Sequence, residues 1–223
     1  MALYGLQPVQ LKLVMDSVVW AFRHTERNVA ETGLQLLIEL MASFEKSDRA
    51  NEFFQAYFLS VMREIFAVLT DTFHKPGFKL HCSVLQFLFT LVLSNNALTQ
   101  PLWDAAAVPG GVGAYPSNAE FVREQTKSLL TASFPNMKPA DVAGFVNGMF
   151  ELSQKKDFSL FKNHLRDFLV ASKEFAGAED NAELYADEAK SRQDADRERM
   201  RLIPGMLQGQ HDAAAAVDQG MNM

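Results

Sequence analysis

The chain has 223 residues, 48% of them apolar, with 21 basic and 27 acidic side chains for a net charge of −6. The apolar share argues against a disordered chain, and the acidic balance (pI near 5.4) against a general nucleic-acid binder. The single cysteine, Cys82, excludes a disulfide framework and a four-cysteine zinc site, and eighteen phenylalanines promise a large core or an interface completed elsewhere.

Helical periodicity dominates the chain from its start. Leu11, Val14, Met15, Val18 and Phe22 form one apolar stripe at 3–4 spacing, and Val29, Gly33, Leu36, Leu37, Leu40 and Phe44 form a second. A long third runs through Phe54, Tyr57, Phe58, Val61, Ile65, Val68, Leu69 and Phe73, and a fourth through Leu80, Val84, Leu85, Leu88, Leu91 and Val92. Three more follow, built on Phe121, Val122, Leu129 and Leu130, then Val142, Phe145, Val146, Met149 and Phe150, then Phe161, Leu165, Phe168 and Leu169. Punctuation agrees. Ser117 with Glu120 is a capping-box pattern, Pro139 suits a first helical position, and Asp157 suits a cap. Lys75-Pro76-Gly77 separates the third helix from the fourth, and Phe134-Pro135 ends the fifth.

These signals predict helices over 8–23, 27–45, 50–73, 78–94, 117–133, 139–154, 157–175 and 181–201. Short turns join them into about four antiparallel pairs. With the polar, Gly-rich loop 94–116 set aside, the pairs recur roughly every 40–47 residues, the period of HEAT and armadillo units. The predicted fold class is therefore all-α, a HEAT-repeat α-solenoid, with an ordinary helical bundle as the alternative. Each pair leaves apolar faces that only a neighbour can cover. The first stripe begins without a polar capping repeat, as in a piece of a longer stack.

The last segment differs from the body. Residues 1–178 carry 16 Lys/Arg and 17 Asp/Glu, whereas 179–223 carry 5 and 10, and Tyr185 is the only Phe, Trp or Tyr there. Glu183, Asp187, Glu188, Asp196 and their acidic neighbours alternate with Lys190, Arg192, Arg197, Arg199 and Arg201 around a thin stripe of Leu184, Tyr185 and Ala189. A helix polar nearly all round is either solvated or docked on a complementary surface. The expectation is a charged helix over 179–203, readable as a movable arm, followed by a disordered tail over 204–223.

Enzyme chemistry finds little support. Pro109-Gly-Gly-Val-Gly113 lacks the Gly-Lys-Ser/Thr ending of a phosphate loop and follows no strand, so it reads as a flexible inter-helix loop, with Trp103 packed on a nearby helix. His74, His81 and Cys82 lie close in sequence but lack a fourth metal ligand. His24 and His164 have no evident acidic or nucleophilic partner, and Cys82 has no basic motif to activate it. The acid pairs Glu120/Glu124 and Asp187/Glu188 read as solvated charge on helix faces. No cofactor fingerprint is present. The start, MALYGLQPVQLK, has no basic region of a signal peptide. The longest apolar runs, such as Phe87–Leu93, are shorter than the ~20 residues that span a bilayer. The sequence reads as an intracellular protein without membrane insertion.

Three stretches then carry a resemblance. Gln10–Leu34 (QLKLVMDSVVWAFRHTERNVAETGL), Ile65–His74 (IFAVLTDTFH) and Asn163–Gly177 (NHLRDFLVASKEFAG) are similar to the C-terminal region of the exportin-1 family of nuclear export receptors, in a plant-like form. The resemblance covers about residues 8–207. It implies that 1–178 are C-terminal HEAT repeats of an exportin, whose complete form is a ring-like superhelix. It implies that the complete receptor, with Ran-GTP, carries cargo bearing leucine-rich export signals through nuclear pores, meets nucleoporins there, and shuttles between nucleus and cytoplasm. The signal-binding groove and its inhibitor-reactive cysteine belong to repeats outside this chain, so Cys82 does not take that role. The family's last helix disfavours the cargo-bound groove. By position that role falls on Glu183, Leu184, Tyr185, Asp187, Glu188, Arg192, Asp196 and Arg199. Animal members end in an acidic stretch, whereas HDAAAAVDQGMNM holds only Asp212 and Asp218, so the charged helix carries the expectation. The opening MALYGL departs from the family pattern and suggests an alternative start. A general HEAT scaffold without an export role is the competing reading.

Overall fold

The computed structural model describes residues 5–70, 77–94 and 97–173. Among them are seven α-helices and no strand: α1 (Pro8–Phe22), α2 (Arg27–Glu45), α3 (Ala50–Thr70), α4 (Phe78–Leu93), α5 (Asn118–Ser133), α6 (Pro139–Lys155) and α7 (Phe158–Lys173). A 3-10 turn, Gly111–Ala114, lies in the long loop. The helices begin and end close to where apolar spacing and punctuation place them. The Ser117 hydroxyl accepts from the Glu120 amide at 3.2 Å, and the Asp157 carboxylate accepts from the Leu160 amide at 2.9 Å. Each satisfies an amide that a helix start leaves unpaired. Pro139 opens α6, where its missing N–H costs nothing.

The pairs α1–α2, α3–α4 and α5–α6 pack as antiparallel hairpins, and α2, α4 and α6 lie side by side as one layer. Helices α3 and α5 touch in the other layer, which α1 joins through Arg23, whose guanidinium meets Glu64 of α3 at 2.9 Å. This is the helix-pair stack of a HEAT solenoid. Its centre is α4, which contacts α2, α3, α5, α6 and α7. Phe78, His81, Cys82, Val84, Leu85, Leu88, Phe89, Leu91 and Val92 of α4 are all buried, so that helix has no wide polar face.

Aromatic rings fill the seams between helices. Phe44 of α2 stacks on Phe53 of α3 with centroids 4.1 Å apart, and Phe89 of α4 meets Phe150 of α6 at 4.9 Å. Such pairs contribute about 0.5–1.5 kcal/mol beyond the area they bury. Close approach of α1 and α2 depends on Gly33: a Cβ there would lie 2.7 Å from the Phe22 amide nitrogen and 2.8 Å from the Ala21 methyl.

Several expectations need correction. Leu36, placed in the second stripe, is 47% exposed; the buried face of α2 is Ala30, Gly33, Leu34, Leu37, Leu40, Met41 and Phe44. Leu36 satisfies the 3–4 spacing but falls beyond the edge of the covered arc. The loop expected to be flexible is tied down over 97–117. The Asn51 carboxamide oxygen accepts from the Thr99 and Gln100 amides at 2.9 and 3.0 Å, while its nitrogen donates to the Thr99 hydroxyl. Asn118 accepts from the Leu102 amide and donates to the Gln100 carbonyl, both at 2.9 Å. Leu98, Leu102 and Trp103 are buried. Finally, α3 is long and apolar enough to cross a membrane by length and composition, which the run-length argument overlooked. Its Phe53, Phe54, Phe58, Val61, Met62, Ile65, Phe66 and Leu69 are buried, so here that apolarity builds the core.

Helix α7 occupies a position its pairing pattern did not foretell. Its expected partner, 181–201, lies outside the described residues, as do the tail over 204–223, Phe73 and His74. Helix α7 packs on α6 and reaches back to α4. Phe161 approaches Phe89, and Phe168 stacks on Phe145 with centroids 3.8 Å apart.

Candidate functional site

The candidate residues scatter rather than converge. His81, at the first turn of α4, is fully buried; its Nδ1 lies 3.0 Å from the Gly77 carbonyl oxygen, and its Nε2 is buried without a hydrogen-bond partner. Its ring meets the edge of Phe22 at 6.4 Å. Burial pushes its pKa down to about 4, with the Gly77 carbonyl opposing that shift, so the ring is a neutral core group at physiological pH. Gly77 enters α4 with φ of +79°, a conformation glycine adopts without steric penalty. Cys82, one residue on, is buried and cannot meet solvent.

His164 serves packing. Its ring stacks on Phe145, centroids 5.0 Å apart, and its Nε2 lies 2.9 Å from the Phe145 carbonyl oxygen. His24 accepts from the Glu26 amide through Nδ1 at 3.0 Å, shaping the α1–α2 turn. The distances separate the described histidines into three local roles: a buried α4 turn, an α6–α7 seam and a surface corner. Among the described residues no group of three or more His, Cys, Asp or Glu side chains is arranged to hold a metal ion.

The acid pair on α5 is taken up by ion pairs. Glu120 meets Arg123 at 3.3 Å and Glu124 meets Lys127 at 2.9 Å. Arg123 also sits over the Phe150 ring at 4.4 Å and donates to Asn147 at 2.8 Å, joining α5 to α6. This is a structural use of a cation over an aromatic face. In the glycine-rich loop the Gly111 carbonyl accepts the Trp103 indole N–H at 2.9 Å, and Trp103 packs against Tyr115 and Phe121. That backbone is committed to its own aromatic cluster.

The hollows of this surface are shallow grooves. One of about 390 Å³ lies between Glu45 of α2, Ser83, Gln86, Phe87 and Thr90 of α4, and Lys156 at the α6–α7 turn. Two of about 280 and 370 Å³ flank Pro101, Trp103 and Val112, and one of about 530 Å³ is rimmed by Asp48, Arg49 and Glu52. None of the four gathers a nucleophile beside a general base. The regulatory residues expected from sequence, Glu183, Leu184, Tyr185, Asp187, Glu188, Arg192, Asp196 and Arg199, lie outside the described residues.

Comparison with known proteins agrees with the stack. The family model described as "CRM1 C terminal" matches residues 1–177. "Protein EXPORTIN 1A" of Arabidopsis thaliana is 58% identical over 206 residues, which are 92% of this chain and 18% of that protein. "Exportin-1" of Dictyostelium discoideum is 41% identical and that of Drosophila melanogaster 38%, each across 92% of this chain and 18% of its own length. The chain therefore spans about a fifth of the length of the curated relatives it matches. On the matched span, the identities and the helix-pair architecture together, the chain belongs to the exportin-1 C-terminal family.

Proposed function

We propose that this chain is the C-terminal part of a nuclear export receptor which, when complete, carries proteins bearing leucine-rich export signals out of the nucleus together with Ran-GTP. The observation that carries the reading is 58% identity to a plant protein named as an exportin, sustained across 92% of the chain. The scattered titratable groups and shallow grooves fit a transport receptor working through protein surfaces. On this reading its partners are Ran-GTP, export-signal cargo and nucleoporins, without direct nucleic-acid contact, and the complete receptor moves between nucleus and cytoplasm.

The charged segment 181–201 is the proposed regulator. Glu183, Leu184, Tyr185, Asp187, Glu188, Arg192, Asp196 and Arg199 would stabilise a form of the receptor that binds cargo weakly. The test is fluorescence anisotropy of a labelled export-signal peptide on the complete receptor, with and without 181–223 and with and without Ran-GTP. Deletion is expected to tighten binding by about 5–150-fold, the range of an ordinary allosteric coupling. Equal affinities under both conditions would overturn the regulatory role. The 223-residue chain alone is expected to show no micromolar affinity for the same peptide.

A further inference from the structure

The anchored loop over 97–117 holds one apolar side chain out of the core. Val112, in the 3-10 turn, is 67% exposed. The turn is fixed by the bond from the Trp103 indole to the Gly111 carbonyl and is entered through Gly110 and Gly111, both at positive φ. The hollows of about 280 and 370 Å³ both have Val112, Pro101 and Trp103 in their walls. The larger shares Gln55 with the 530 Å³ hollow at the start of α3, and Gln100 lines both that hollow and the smaller one. The three adjoin as one trough along α3, the loop and the start of α5. Its walls come from the second and third helix pairs, with α1–α2 packed before them and α7 after, so this surface is internal to the stack. A long loop with a fixed structure of its own is uncommon in a compact domain unless it binds something.

We propose that this trough docks an extended peptide segment of a partner protein, with an apolar side chain beside Val112 and a lysine or arginine toward the start of α3. Charge selects that occupant. Of the charged side chains lining the three hollows, Asp48, Glu52 and Asp104 are acidic and exposed, and Arg49 is basic. The Arg49 guanidinium is already held by the Glu52 carboxylate and the Leu6 carbonyl. Asp104 accepts from the Ala106 amide through one oxygen, and a carboxylate can accept more. The trough therefore carries excess negative charge at one end and exposed apolar surface at the other, which a basic-and-apolar segment complements and an acidic one does not. In the smaller hollow, the Thr99 and Ser117 hydroxyls accept from Asn51 and the Glu120 amide, which leaves their own protons for carbonyls of a bound backbone. Glu52 and Gln55 are about 5 Å apart along α3, and a hollow of about 370 Å³ adds about 7 Å, so at about 3.3 Å per residue the basic side chain lies about three or four positions from the apolar one. A contact of this size is at the small end of specific interfaces, and the dissociation constant expected is on the order of 10–100 µM. The proposal stands on this surface alone and is independent of the export reading.

The experiment is fluorescence anisotropy of a labelled peptide of about nine residues, with two lysines and two leucines spaced as above, titrated with the 223-residue chain to about 500 µM, which brackets that constant. Two further peptides carry glutamates in place of the lysines or serines in place of the leucines. The first peptide is expected to bind and the other two to bind at least about tenfold more weakly. Val112→Glu is expected to abolish binding with unchanged far-UV circular dichroism, since the side chain is exposed. The double variant Asp48→Asn/Asp104→Asn, which keeps an acceptor for the Ala106 amide, is expected to weaken binding about tenfold and to flatten its salt dependence. Leu160→Glu, at an exposed position of α7 outside the trough, is expected to leave binding unchanged. No binding of the first peptide up to the highest concentration overturns the proposal. Equal binding of the serine or glutamate peptide, binding that survives Val112→Glu, or an equal loss with Leu160→Glu overturns it as well.

Discussion

Gly148 of α6 lies against the imidazole of His164 on α7 so closely that a Cβ on the glycine would stand 2.5 Å from the ring's Nε2. The same nitrogen lies 2.9 Å from the Phe145 carbonyl oxygen, and the ring stacks on Phe145. The missing side chain is what lets α7 settle on the α4–α6 layer.

Gly148→Ala should therefore displace His164 from both contacts and lower stability by about 1–3 kcal/mol, the usual cost of overpacking a filled seam. Gly144, one turn earlier, has open space around it. Gly144→Ala should be neutral or stabilising by up to about 1 kcal/mol, because alanine is the better helix former. Urea denaturation of the two variants checks the contrast. Equal midpoints would remove Gly148 as the determinant of the α6–α7 approach.

His81 predicts a pH dependence. Its folded pKa, about 4, is below the ordinary value of 6.5 because burial penalises the charged ring. Between those values the unfolded chain binds more protons than the folded one, so stability is full above about pH 6.5 and falls as pH drops toward 4. From pH 7.5 to pH 5 the loss from this one group should be about 2 kcal/mol. His81→Phe should cost stability at neutral pH yet flatten that slope. Denaturant midpoints of both proteins across the interval measure it, and parallel slopes would count against the buried neutral ring.

Asn51 anchors the loop to the start of α3. Asn51→Ala removes its bonds to the Thr99 and Gln100 amides and the Thr99 hydroxyl. The expected cost is about 1–3 kcal/mol. Hydrogen exchange at Thr99 and Gln100 should accelerate, while amides in the middle of α4 stay protected. Unchanged exchange at those two amides would mean the loop holds without this clamp.

Lys156 ends α6 with φ of +56°, and among the described residues it is the only non-glycine in that region. A side chain in the left-handed region costs on the order of 1–2 kcal/mol, which glycine avoids. Lys156→Gly should raise stability by about 1 kcal/mol after the glycine's extra freedom in the unfolded chain is set against the relief. Lys156→Ala, which keeps the Cβ, should not. Thermal melts of the pair decide between them.

What could be read from the sequence was what depends on neighbours a few residues away. The bounds of α1, α2, α4 and α6, the Ser117 and Asp157 caps and the pairing of adjacent helices all follow from 3–4 apolar spacing and local hydrogen-bonding residues. Family membership was legible for the same reason, since long matched stretches such as Gln10–Leu34 need no three-dimensional information. Contacts between distant residues were not legible. Asn51 and Gln100 are 49 positions apart, and nothing local marks that asparagine as a clamp or turns a glycine-rich loop into a fixed one. Periodicity selects a face but does not say how wide an arc a neighbour covers, which is why Leu36 is exposed while Phe89 and His81 are buried. The tertiary structure alone decided that α4 is enclosed by five helices, that α7 folds back onto it through the gap at Gly148, and that Val112 is held exposed on the anchored loop. Each is a question of which surfaces meet, and burial is a property of the assembled stack rather than of any one segment.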